Sequence, residues 1–234
     1  MSLKDADIQE IYEGIGESLH AFYKPCFDNS VLYQRYAGFF STSAYELMKD
    51  YIATFAQKKG KMQIICCYQI DSTVIDQISD GYQLRELIDE QIQKEIIQDI
   101  ENSIKNISNS KYDFISSLIA LNCLDIKIAY NKNSTGIFHS KKNIFTDQYN
   151  NIIATNGSAN ESKSGLEDHY ESFDAFKSWD DDKERAQNHK NLFEKTWNDE
   201  NEILQVIPFP EHSAEMLKKL YSGKSPIQIL NESQ

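Results

Sequence analysis

Apolar residues near the front of the chain recur at helical spacing. Ile8, Ile11, Tyr12, Ile15, Leu19 and Phe22 predict one helix over 6–24, with Pro25 near its end. The run VLYQRYAGFF, 31–40, is rich in β-branched and aromatic residues and predicts a strand. Ser41 to Ser43 supply a cap for a helix over 44–57, and Gly60 follows its end. In KMQIICCYQI, 61–70, the apolar residues run on without alternating, as they do in a strand covered on both faces. A long polar stretch, 72–108, carries Ile75, Ile78, Leu84, Ile88, Ile92, Ile96 and Ile100 and reads as a helix; 113–122 reads as another. Strands are expected over 124–130, 136–147, 151–157 and 169–179, with a turn at 147–151 between the second and third. A charged amphipathic helix over 181–198 and a short helix over 211–221 complete the series.

Strands that alternate with helices predict an α/β fold, here a mixed β-sheet sandwiched between helices. No internal repeat of 20–50 residues is visible, so any motif occurs in a single copy. The expected division is a main domain over 1–207 and a short helix with a linker or tail over 208–234.

Composition narrows the function classes. Thirteen Tyr and twelve Phe argue for a packed core and against general disorder. No apolar run approaches the ~18 residues of a membrane helix, and the polar start of the chain does not resemble a secretion signal. A cytoplasmic location without membrane attachment is the expectation. Cys26, Cys66, Cys67 and Cys123 include no C-x-x-C pair, so buried thiols are expected rather than a zinc site or disulfides. A net charge of −12 excludes a broad basic surface for gripping nucleic acid, though not a local basic pocket.

Candidate chemistry is concentrated in three pieces between His139 and Glu171. His139 and Lys141 lie two apart on a predicted strand and therefore share a face. An imidazole beside a fixed ammonium suits a phosphodiester, because the cation stabilises anionic oxygens while the imidazole attacks or transfers a proton. The expected hairpin brings Gly157, Ser158 and Asn160 to the same end, where hydroxyl and amide can donate to phosphate oxygens. Glu171 is expected to hold the histidine ring in one tautomer. An isolated H-x-K or G-S-x-N is common and carries little; the conjunction carries the argument. His169 is a possible pocket residue and Arg35 a candidate DNA contact, whereas His20, His189 and His212 read as solvated helix residues. Asp180 to Asp182 read as a helix cap rather than a metal site.

H-x-K, then G-S-x-N, then Glu fourteen positions after the Gly, resembles the phospholipase D superfamily, and 136–176 is most similar to its single-motif bacterial nucleases. The resemblance implies a phospholipase-D-like fold with His139 as nucleophile. It implies Lys141, Ser158 and Asn160 as phosphate-binding groups, and Glu171 as the acid that supports the histidine. It implies hydrolysis in two steps through a phosphohistidine, without metal or cofactor. With one motif per chain, the second histidine comes from another copy in a homodimer. The family's motif aspartate falls on Thr146, and Asp147 follows it at the expected turn, where a structural role is expected. Less specific segments, among them RYAGFFSTSAYELM and VIPFPE, resemble the phospholipase-D-like N-terminal domain of bacterial DEAD/DEAH-type restriction or phage-defence helicases. That points to DNA as substrate and to a helicase domain as partner. A catalytically weak nucleic-acid-binding module, or a lipid or small phosphodiester hydrolase, stands as the alternative.

Overall fold

The computed structural model describes residues 2–16, 19–38, 40–67, 70, 72–104, 113–132, 138–158 and 162–209. Among them eight strands form one open mixed sheet. They are β1 (Ile11–Gly14), β2 (Leu32–Ala37), β3 (Lys61–Cys67), β4 (Leu124–Asn131), β5 (Lys141–Thr146), β6 (Ile152–Gly157), β7 (Glu171–Lys177) and β8 (Leu204–Pro208). Their spatial order is β1-β7-β6-β5-β2-β3-β4-β8. β3 is parallel to β2 and β4, and the other neighbours are antiparallel.

Parallel neighbours need long crossovers, and helices supply them. α2 (Thr42–Leu47) and α3 (Lys49–Gln57) link β2 to β3, and α4 (Ser72–Leu87), α5 (Glu90–Ile104) and α6 (Phe114–Ala120) lie between β3 and β4. These helices, with α1 (Lys24–Asn29), build the larger core on one face, around Phe22, Phe27, Tyr33, Phe145 and Phe173. α8 (Lys183–Trp197) covers the other face, where Phe193 packs with Tyr36, Ile65, Ile144 and Phe176. α7 (Lys163–Glu167) precedes β7. The central strands are thus buried on both faces, which is why β3 lacks polar alternation. Among the described residues no helix is long and apolar enough to cross a membrane. All four cysteines are buried thiols, as expected.

Four expectations about elements need correction. The front helix over 6–24 is instead strand β1, then a π-helical turn at Leu19–Tyr23 that runs into α1. Gly14 and Gly16 hold positive φ values of 141° and 73°, which an α-helix forbids. The stretch from 72 is two helices, because the Asp89 carboxylate accepts from the N–H groups of Gln91 (2.9 Å) and Ile92 (2.8 Å) and starts a new one. The helix over 44–57 likewise divides at Met48. Finally, β8 pairs with β4 at the sheet edge, where no strand is expected. The expected helix at 211–221 lies outside the described residues, as does most of 208–234.

The β5–β6 hairpin is tied to the front of the chain by Asp147. Its Oδ1 accepts from Tyr149 N (2.8 Å) and Asn151 N (2.9 Å), and its Oδ2 from Leu3 N (2.9 Å), Ser2 Oγ (2.9 Å) and Asn151 Nδ2 (2.8 Å). Burial alone would raise the pKa of this carboxyl, but the bonds from Asn151, Leu3 and Ser2 outweigh it and hold it below the usual value. Asp147 is a turn and anchor residue, as its position in the sequence suggests.

Candidate active site

β2 and β5 lie side by side, with Ala37 opposite Lys141, and both open onto the same end of the sheet. β5 begins at Lys141, so His139 stands just before the strand rather than within it, as the expected strand over 136–147 would have it. The expected juxtaposition is nonetheless present: Lys141 Nζ lies 3.1 Å from His139 Nε2. An ammonium has only protons to offer, so Nε2 accepts and the ring proton sits on Nδ1. The Nε2 lone pair is thereby directed at the Lys141 ammonium. His139 is exposed, as a group that must meet a substrate has to be.

Gly38, at the end of β2, was not singled out in the sequence, yet it seats the imidazole. A Cβ there would lie 2.8 Å from His139 Cδ2 and 3.2 Å from its Cα. In the sequence it is only a glycine inside the expected strand over 31–40, a place where a backbone often approaches a neighbour closely.

Across the sheet, β6 ends at Gly157 and β7 begins at Glu171. Lys141 and Phe145 alternate onto one face of β5, Glu171 and Phe173 onto one face of β7. Phe145 and Phe173 share the larger core, so Lys141 and Glu171 stand on the same face of the sheet. Ser158 donates its hydroxyl hydrogen to Glu171 Oε2, and its Oγ accepts from Ser172 N at 3.1 Å. Among the described residues, the Glu171 carboxylate takes its hydrogen bond from Ser158, and His139 has its own with Lys141. The expected direct carboxylate–imidazole bond is not made, and the Ser158 hydroxyl is already engaged.

Gly157 has a backbone role. A Cβ there would lie 2.3 Å from Ser172 O and 2.4 Å from Phe173 Cβ, so only glycine lets β6 and β7 approach this closely. Asn160 lies outside the described residues.

Arg35 requires correction as a DNA contact. It is 1% exposed and donates through Nη1 to Asn143 Oδ1 beneath the site, where no nucleic acid can reach it. It faces the core because it is one of alternate β2 residues, with Tyr33 and Ala37, on the face that packs against the helices. Thr146, in the position of the motif aspartate, is buried. His169 is exposed between α7 and β7.

His189 is not the solvated group expected. It stacks on Phe176 with ring centroids 5.6 Å apart, and burial, then Lys142 and Arg185, lower its pKa to about 4. It sits on α8, against the face of the sheet that carries Phe176. Asp182 stands at the N-cap position of α8 but makes no side-chain capping hydrogen bond; it pairs with Arg185 at 3.4 Å. Among the described residues no cluster of three or more His, Cys, Asp or Glu could hold a metal ion.

No protein-family model matches the chain, and no curated protein does. Among solved structures it is similar to NucT from Helicobacter pylori, with 17% identity, a TM-score of 0.47, and coverage of 80% of this chain and 94% of that one. It is also similar to Nuc from Salmonella typhimurium, a phospholipase D family member, with 12% identity, a TM-score of 0.44, and coverage of 86% and 98%. A third is phosphatidylserine synthase from Haemophilus influenzae, with 12% identity and a TM-score of 0.47, where the match covers 91% of this chain but 43% of the other.

Proposed function

We propose that this chain is a phosphodiesterase of the phospholipase D type that cleaves DNA as the endonuclease module of a restriction or phage-defence helicase system. The observation that carries the reading is the imidazole–ammonium pair, His139 Nε2 at 3.1 Å from Lys141 Nζ, exposed at the end of the sheet. A phosphodiester entering there offers its anionic oxygens to the ammonium. Lys141 then leaves Nε2 for those oxygens, and the freed lone pair attacks phosphorus. The new P–N bond forms as the bond to the leaving oxygen breaks, and a second imidazole gives that oxygen its proton. Water then attacks the phosphohistidine, loses its proton to the second imidazole, and releases His139. Neither step routes through a metal.

The second imidazole is His139 of another copy, so the working unit is a homodimer with one composite site. Ser158 and Glu171 hold the facing wall of that site, and Asn160 supplies an amide to the phosphate. A second reading, a nucleic-acid-binding module with little turnover, draws on Thr146 in the place of the motif aspartate and on the net charge of −12.

The purified chain is incubated in chelator with plasmid, with phosphatidylcholine vesicles and with bis-p-nitrophenyl phosphate. Cleavage of the plasmid and the small diester, lost in His139→Ala, is expected. Turnover that survives in His139→Ala overturns the assignment, and preference for the vesicles moves the substrate class to lipid. DNA binding without turnover selects the second reading.

A further inference from the structure

β5 and β6 stop pairing before they reach the site. Their ladder covers Thr146↔Ile152, Phe145↔Ile153 and Ile144↔Ala154, although β5 extends on to Lys141 beside β2, and β6 to Gly157 beside β7. In an antiparallel ladder the hydrogen-bonded pairs recur every second residue. Asp147 N donates to Asn151 O at 3.0 Å, so the next such pairs on the same register are 145 with 153 and 143 with 155. A continued ladder would therefore send the Asn143 N–H to the Thr155 carbonyl. It goes instead to the Thr155 hydroxyl, at 3.0 Å.

The residues at this point form a connected polar set. Asn143 Nδ2 donates to the same Thr155 Oγ1 at 3.1 Å and to Tyr23 Oη at 3.2 Å. Asn143 Oδ1 accepts from Arg35 Nη1 and, at 2.8 Å, from Tyr33 Oη. Arg35, Asn143 and Thr155 are 1%, 2% and 2% exposed, so water does not compete for these bonds. The set lies on the face that carries Lys141 and Glu171, two strand residues below Lys141, or about 7 Å.

Building on the phosphodiesterase reading, we propose that Asn143 and Thr155, anchored by Arg35, are positioning residues that hold β5 and β6 apart. The gap kept open between Lys141 on one strand and Gly157–Ser158 on the other is then the slot that receives a phosphate of the substrate. The Thr155 hydroxyl is the spreader, since it takes the N–H that would otherwise draw the strands together. Without it, the Asn143 N–H pairs with the Thr155 carbonyl, the ladder closes by one more pair, and the slot narrows.

The test compares Thr155→Val, which keeps the shape and removes the hydroxyl, with Thr155→Ser, which keeps the hydroxyl. Turnover of bis-p-nitrophenyl phosphate, binding of inorganic phosphate by NMR titration, and thermal melting are read for each. A displacement of this kind near reacting groups costs about 100-fold in rate. Thr155→Val is expected to lose that much turnover and its phosphate binding while melting cooperatively, and Thr155→Ser to retain both. If the valine variant does not fold, Thr155→Ala, which also lacks the hydroxyl, takes its place. Thr155→Val with unchanged turnover and phosphate binding overturns the inference. So does Thr155→Ser impaired as severely as Thr155→Val, because the hydroxyl would then not be the decisive group. Should the wild type turn over no diester, the phosphodiesterase reading fails by itself. Phosphate binding across the same variants still decides the slot, and a wild type that binds no phosphate rejects it.

Discussion

His139 owes its seat to a neighbour with no side chain. Gly38 does not occupy the left-handed region, so alanine fits its backbone; what alanine lacks is room, with His139 Cδ2 at 2.8 Å from the added carbon. Gly38→Ala is therefore expected to move the imidazole away from Lys141 and cost about 100-fold in kcat/KM on a small diester. The folded state is expected to lose about 1 kcal/mol or less, as the imidazole is exposed and has space to yield. Turnover and urea melts on the same preparation check both halves; full turnover with a lowered melt would show that Gly38 serves the fold alone. The same scale explains why two residue-level expectations missed. Arg35 is buried because its strand face meets the helices, and His189 is half-buried because it stacks on Phe176. Ser158 has a hydroxyl that serves phosphate or carboxylate equally well, and the neighbour on β7 takes it.

At the scale of elements, local pattern served where an element was long and bounded. β3, β4, β7 and α8 lie within a few residues of their expected spans. It failed at the front of the chain. Ile8, Tyr12 and Phe22 are buried, but Ile11 and Ile15 are 62% and 57% exposed, so the apparent helical stripe mixes core and surface positions. It also missed the boundary at Asp89, whose side chain starts α5 within an unbroken apolar rhythm. That boundary has a measurable weight. Asp89→Ala removes the acceptor of two N–H groups at a helix start and is expected to destabilise the fold by about 1 kcal/mol. Chemical denaturation reads this directly, and catalysis should not change, since α5 packs against α3 and α6.

For the whole molecule, the central consequence of the proposed mechanism is assembly. A site that needs His139 from two copies cannot work in a monomer. Specific activity should therefore fall on dilution through the dimer dissociation range, followed together by sedimentation and diester turnover. Wild type exchanged with excess His139→Ala should lose activity as the square of its own fraction, because every mixed pair lacks one imidazole. A linear loss would place both chemical roles within one chain. The acidic net charge fits this picture if DNA is brought to the site by a partner rather than by the general surface.

The sequence by itself determined the α/β alternation, the buried central strands, the turn at Asp147 and the closeness of His139 to Lys141. Each of these rests on periodicity or on residues a few positions apart, where chain geometry alone limits the outcome. Tertiary structure decided the union of Ser158 with Glu171, the burial of Arg35 and the parting of β5 from β6 over Asn143 and Thr155. These depend on ladder register and on which face of each strand meets the helices. For Arg35 both are set by packing between segments more than a hundred residues apart, as in its bond to Asn143, and no local pattern encodes that.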